Sequence, residues 1–218
     1  MVKGIVAMQK LVAIDSAAES PKASMLKGTG RSVLILSEAI QDLVRCPSCR
    51  SRLINERGRL CCTHEACGMQ FPIVDGIPVL INDQNSVFKR SDFVSRKDTT
   101  FNLSRGRLVL QVDRLLPKLS RNVTTKGNYR AFAELLLKRS PNPVVLVIGG
   151  SILGRGMEVL ASDSRIQLVE TDVSFGPRTQ VICDAHDLPF EINSFDGVVV
   201  QSVLQYLLEP ARCVHEIK

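Results

Sequence analysis

Two cysteine pairs set the tightest limit on the first half of this chain. "CPSC" occupies residues 46–49, and Cys62 and Cys67 follow within "LCCTHEACG". A Cys-x-x-Cys turn brings two thiolates to one ion, and zinc takes four sulfur or nitrogen ligands in a tetrahedron. A module of about forty residues buries too little apolar surface to fold securely alone, so a metal cross-link has a stabilising role. Between the pairs, "RLINERGRLCC" reads as a hairpin turning at Arg57-Gly58. On its returning strand Leu60 and Cys62 fall on one face and Cys61 on the other, because side chains alternate. Zinc ligands are therefore expected at Cys46, Cys49, Cys62 and Cys67. His64 in place of one thiolate, and reduced cysteines without metal, are the competing readings. A redox role for "CPSC" would need a thioredoxin-like βαβ unit around it, and none is present.

The bulk numbers fit a soluble protein in a reducing compartment. The chain is 44% hydrophobic and 23% charged, with seven cysteines. No apolar run approaches the roughly 20 residues needed to cross a bilayer. The apolar start "MVKGIVAMQKLVAID" is interrupted by Gln9 and Lys10, unlike a secretory signal. A cytoplasmic location is expected, with cysteines serving metal or staying as thiols. The net charge of +6 is uneven: residues 87–139 carry 13 basic and 4 acidic side chains, residues 140–218 carry 5 and 10. Such a basic stretch can contact RNA, a phosphorylated substrate or a protein partner. It can equally be the solvated face of connecting helices, and the aromatic–basic interleaving of many RNA-binding surfaces is missing.

Four segments follow from the punctuation. Residues 1–35, rich in Ala, Ser, Lys and Gly, read as a flexible arm. Residues 36–86 open with a short helical stretch, "SEAIQDLV", and continue as a small β-rich metal module. Residues 87–140 read as a basic helical connector, since "RGRLVLQVDRLLPKL" and "NYRAFAELLLKR" place apolar residues three and four apart. "SPNP" breaks the pattern. Residues 141–218 then give "VVLVIGG", "IQLVETD", "TQVICDA" and "FDGVVVQSV", buried-type runs expected of parallel strands in an α/β sheet of about four strands.

The turn after the first run carries the chemistry. In "VVLVIGGSILGRGMEVL" a strand meets Gly149, Gly150, Ser151 and Gly154 before helical text. Glycines there let backbone approach a ligand closely. Asp172 ends the next run, where an acid can accept both ribose hydroxyls of an adenosine cofactor. NAD-binding folds use the same device.

Both halves resemble known families. "LVRCPSCRSRL", "LCCTHEACG" and "FPIVDGIPVLI" are similar to the small zinc-ribbon family whose eukaryotic member activates tRNA, rRNA and protein-factor methyltransferases. The family's Leu-x-Cys falls on Leu60-Cys61-Cys62 and again selects Cys62. "VDGI" suits a two-residue hairpin turn at Asp75-Gly76, and Pro78 is then expected at a sheet edge. "VICDAHDLPFEINSFDGVVVQSVLQYL" resembles class I S-adenosylmethionine-dependent methyltransferases of the small-molecule, quinone-biosynthesis-like group. That resemblance implies a Rossmann-like fold and S-adenosylmethionine as cofactor. It also implies that Asp184 accepts from the adenine amino group, that Ala185 offers its N–H to the ring, and that Gln201 and Ser202 line the pocket beside the methionine part. Asp187 reads as a turn or capping residue, and Cys213 and His215 as packing or surface positions. Two positions depart from the family: Val147 replaces its usual acid, and Ser151 its third small residue. Family members also continue past the "HEI" helix with further strands, so a chain truncated at Lys218 is expected to leave "GVVVQSV" as an open apolar edge.

The function expected is methyl transfer from S-adenosylmethionine to an unidentified acceptor, with the ribbon as a structural, partner-recruiting or substrate-recruiting module. No catalytic residue is named. The contrasting reading is a non-catalytic zinc-ribbon adaptor for RNA or a protein, built on a degenerate methyltransferase scaffold. An NAD-dependent oxidoreductase rests only on the glycine turn and Asp172, and "DAHDLPF" argues against it.

Overall fold

A computed structural model describes residues 5–8, 34–95 and 123–218 of the chain. The elements in chain order are β1 (Ile5–Met8), α1 (Glu38–Gln41), β2 (Leu53–Glu56), β3 (Arg59–Cys62), β4 (Gln70–Val74), β5 (Ile77–Leu80), α2 (Arg90–Val94) and α3 (Val123–Arg139). The second half adds β6 (Val144–Ile148), α4 (Glu158–Ala161), β7 (Gln167–Asp172), β8 (Val181–Cys183), β9 (Gly197–Gln201), a 3-10 turn at Leu204–Tyr206 and α5 (Pro210–Ile217).

The expected turns and strands form. Arg57 and Gly58 adopt φ of 49° and 79°, and Asp75 and Gly76 adopt 50° and 82°. These are the paired positive values that join twisted strands through two residues. β2, β3, β4 and β5 make an antiparallel meander. The four apolar runs beyond "SPNP" become β6, β7, β8 and β9, all parallel, with β6 between β7 and β9.

Three expectations differ from the structure. The ribbon does not end at its own edge: β5 pairs in parallel with β8, Val79 opposite Ile182 and Leu80 opposite Cys183. The order becomes β1-β9-β6-β7-β8-β5-β4-β3-β2, one continuous sheet instead of about four strands plus a separate ribbon. Pro78 therefore lies in an internal strand. It is tolerated because it faces Ile73 one step beyond the Val74–Ile77 pair that closes the turn, and the ladder to β8 begins only at Val79. Its nitrogen, which has no hydrogen to donate, is needed by neither partner. Finally, Ile5–Met8, within the stretch expected as an arm, pairs in parallel with β9 along the edge expected to be open. The remainder of that arm, and residues 96–122 of the basic connector with "RGRLVLQVDRLLPKL", lie outside the described residues.

Alternation along each strand splits the core between two faces. Val145 and Val147 of β6 and Val199 of β9 pack with Tyr129, Phe132 and Leu136 of α3 and Leu160 of α4. Leu146, Ile148, Val198 and Val200 face the other way. There they meet Leu36, Ile40, Val44, Leu60 and Phe71 from the ribbon, with Cys213 and Ile217 of α5. Val147, standing where the resembled family has an acid, is fully buried among apolar neighbours. The ribbon and α5 thus pack together against one face of β6 and β9.

Candidate functional site

The four expected ligands converge. The thiol sulfurs of Cys46, Cys49, Cys62 and Cys67 lie within 4.8 Å of one another. Cys46 Sγ is 3.8 Å from Cys67 Sγ, and Cys49 Sγ is 3.4 Å from Cys62 Sγ. A tetrahedron with bonds of about 2.3 Å to zinc has sulfur–sulfur edges of about 3.8 Å, so the set has the size of one ion. Cys61 stands outside the set, as strand alternation requires, and so does His64. The Cys62 sulfur accepts the His64 N–H at 3.4 Å. Without metal the thiols are unequal. Burial pushes Cys46 upward and Cys62 up to about 11. Burial also works on Cys49, but hydrogen bonds from the Ser51 side chain and backbone, and from the neighbouring thiols, outweigh it and bring Cys49 down to about 6.

The knuckle is tied to the α/β half by a residue that sequence reasoning missed. Arg50 follows the first cysteine pair with φ of 64°, a left-handed conformation in which glycine would be unstrained. Its guanidinium donates to the Leu188 carbonyl, to Asp187 Oδ1 at 3.0 Å and to Glu216 Oε2 at 3.0 Å. Asp187, expected as a turn or capping residue, does close a turn, its N–H donating to Asp184 O at 3.0 Å, and its buried carboxyl group also anchors the ribbon. Burial, reinforced by Glu216, raises its carboxyl above the ordinary value even though Arg50 pulls the other way. Beside it Arg45 pairs with Glu191, and the Arg45 N–H donates to Pro189 O at 2.8 Å.

The other expected residues meet at the C-terminal ends of β9, β6, β7 and β8. β7 and β8 extend to one side of β6 and β9 to the other, so the topology switches between β6 and β9, where open α/β sheets bind ligands. Two left-handed residues mark the spot, Gly149 with φ of 79° and Ser202 with φ of 52°. A side chain on Gly149 would collide with Val203 Cγ2 at 2.3 Å and Gln201 O at 2.8 Å. The Gln201 side chain lies over Gly154, at a place a Cβ there would claim, with Nε2 1.1 Å away. Its Oε1 is buried and has no hydrogen-bond partner.

The turn's amide donors, however, are used internally. Thr171 O accepts from both Gly149 and Gly150 at 2.9 Å, and the Ser151 N–H donates to Asp172 Oδ2 at 3.1 Å. Asp172 Oδ1 accepts from the Ser174 N–H at 3.0 Å and the Ser174 hydroxyl at 2.9 Å. A carboxylate has about four acceptor positions, so roughly one remains for an incoming hydroxyl, where the sequence suggested two. α4 starts only at Glu158, so its N-terminus does not follow directly on the glycines.

Asp184 is held more tightly still, at 4% exposure. Oδ1 accepts from the His186 N–H at 2.9 Å and meets His186 Nδ1 at 2.7 Å, while Oδ2 accepts from the Ser86 hydroxyl at 2.5 Å. Ala185 beside it is buried. Neither Ser86 nor Ser174 carried any sequence signal. His186 sat inside a quoted motif without a role.

Residues 150–218 match the family model of a methyltransferase domain. The match begins at the second glycine of the turn and runs through Asp172, Asp184 and Gln201 to the end of the chain. No curated protein matches the chain. The matched segment thus includes all the strand tips described above except that of β6. No helix among the described residues is long and apolar enough to cross a membrane.

Proposed function

We propose that this chain is a class I methyltransferase that binds S-adenosylmethionine at the C-terminal ends of β6–β9 and a structural zinc ion at Cys46, Cys49, Cys62 and Cys67. The observation that carries the reading is the meeting of the glycine turn, Asp172, Asp184 and Gln201 on four adjacent strand tips at the switch point, within a segment matching a methyltransferase domain. The orphaned Gln201 Oε1 supports the fit, because a buried acceptor without a donor is costly unless a ligand supplies one.

When bound, S-adenosylmethionine supplies a methyl group already activated on a sulfonium sulfur. The protein's task is then to orient the reactants and exclude water. Asp172 accepts one ribose hydroxyl through its remaining acceptor position. Asp184 accepts the adenine amino group. Gln201 Oε1 accepts from the ammonium of the methionine part, a role left to it because Val147 carries no charge. Zinc, when bound, cross-links the two cysteine turns, and Arg50 transmits their position to the turn at Asp187.

Calorimetric titration of the full chain with S-adenosylhomocysteine tests this. Binding should be measurable in the parent and at least tenfold weaker in Asp172→Asn. A folded protein that takes up no S-adenosylhomocysteine, either with Ser86 in place or with Ser86→Ala, would overturn the reading.

A further inference from the structure

Asp184 is the acceptor the adenine amino group needs, yet three of its roughly four acceptor positions are taken from within the chain, and at 4% exposure the fourth is walled off. Two of its donors, the N–H and ring nitrogen of His186, belong to the same turn, which is closed by the Asp187 N–H on Asp184 O at 3.0 Å. The third donor comes from 98 residues away: the Ser86 hydroxyl, on the segment that leaves the ribbon after β5. The same hydroxyl accepts the Phe88 N–H at 3.1 Å, which fixes its rotamer toward the carboxylate.

The segment is moored at both ends. Asn82 reaches Asp187 at 3.5 Å, and the Ser86 N–H donates back to Asn82 O at 3.0 Å. At the far end Phe93 of α2 stacks edge-on against Phe175, ring centroids 6.2 Å apart, on the loop that follows Asp172. Between the moorings Val87 is 68% exposed, while Phe88 packs near Phe93 with ring centroids 6.5 Å apart and Asp83 pairs with Arg90 at 2.8 Å, so the segment holds together as one piece with its tip in solvent.

We propose that Ser86 holds on Asp184 the place of the adenine amino group, making residues 82–94 a strap that the nucleoside displaces. This rests on the cofactor reading above and adds to it a self-ligand supplied by the ribbon's exit segment. The hydroxyl and the adenine N–H₂ offer the same thing, a hydrogen-bond donor to one carboxylate oxygen, and only one can occupy that position. With Asp184 at 4% exposure, the base gains its edge only where Ser86 gives way. The strap therefore lowers cofactor affinity and slows its entry.

The test compares S-adenosylhomocysteine binding to the full-length parent and to Ser86→Ala, by calorimetry for affinity and stopped flow for the association rate. Removal of the competitor should tighten binding about three- to tenfold and speed association. Binding by Ser86→Ala where the parent shows none would support the strap in its strongest form. Parent binding with an unchanged or weaker Ser86→Ala would overturn the strap and leave the cofactor reading intact. No binding by either overturns both. Hydrogen exchange on the unaltered protein gives a check that needs no variant. Saturating S-adenosylhomocysteine should speed amide exchange in residues 82–94, and slowed exchange there would refute displacement.

Discussion

Replacing Arg50 separates two energies that oppose each other at one residue. Its φ of 64° costs a side-chain-bearing residue about 1–2 kcal/mol. Its guanidinium gives back charge-assisted bonds to Asp187, Glu216 and the Leu188 carbonyl. Arg50 is 44% exposed, so the pair with Glu216, itself 22% exposed, contributes at most about 1 kcal/mol after solvent screening. Asp187 is only 10% exposed, and losing a charged partner there costs about 1.5–3 kcal/mol. Arg50→Ala keeps the strained backbone and loses the bonds, a net loss of about 2 kcal/mol. Arg50→Gly loses the same bonds but relieves the strain, less some added chain entropy, and should be about 1 kcal/mol more stable than Arg50→Ala. For a chain of this length each kcal/mol moves the melting temperature by about 2–4 °C. Thermal melts monitored by circular dichroism should rank the parent first, Arg50→Gly second and Arg50→Ala last. All three should retain metal, since no thiol is touched. If Arg50→Gly melts at or below Arg50→Ala, the left-handed backbone is not strained and the reasoning fails.

Other outcomes follow from the same geometry. Cys62→Ser should lose metal on dialysis while Cys61→Ser keeps it, read by metal analysis; equal retention would displace the strand-face argument. Gly149→Ala combines a left-handed φ with contacts of 2.3 and 2.8 Å and should cost about 3 kcal/mol in chemical denaturation. Gly154→Ala meets only the movable end of Gln201 and should cost under about 1 kcal/mol. Glu170 is buried, and that burial outweighs its pairing with Arg178 and raises its carboxyl above 4.5. The unfolded chain then releases this proton first, so stability falls as pH rises from about 4.5 through the folded value and levels off above it. Glu170→Gln should remove that slope and be at least as stable as the parent at neutral pH. An unchanged denaturation profile across that range would count against it.

What could be read from residues alone was local. The hairpin turns were legible because Gly58 and Asp75-Gly76 are the residue types that positive φ favours, while Arg57 takes φ of 49° on the strength of the glycine after it. Cys62 was separable from Cys61 because strand alternation is a one-residue rule. Asp172 was singled out because an acid ends an apolar run, and Asp184 through the resemblance carried by "DAHDLPF". What escaped was long-range. "IPVLI" serves equally well as a hairpin arm and as a strand shared with β8, and no periodicity distinguishes the two. "GIVAM" inside a Lys- and Ala-rich start gave no hint of a partner nearly two hundred residues on. Ser86 and Arg50 act across 98 and 137 residues on groups whose own roles are visible only in three dimensions. Arg50 did leave a trace, a bulky cation in the position after a cysteine pair where the backbone turns left-handed.

β5 belongs at once to the hairpin closing the ribbon and to the parallel ladder of the α/β half. The zinc module is consequently no tethered appendage free to swing toward a distant substrate. It is a wall of the same building, at a set distance from the glycine turn and Asp172. Whatever the ribbon's outer hairpin touches is placed in fixed register with the strand tips of β6–β9, as a ruler's end is with its marks.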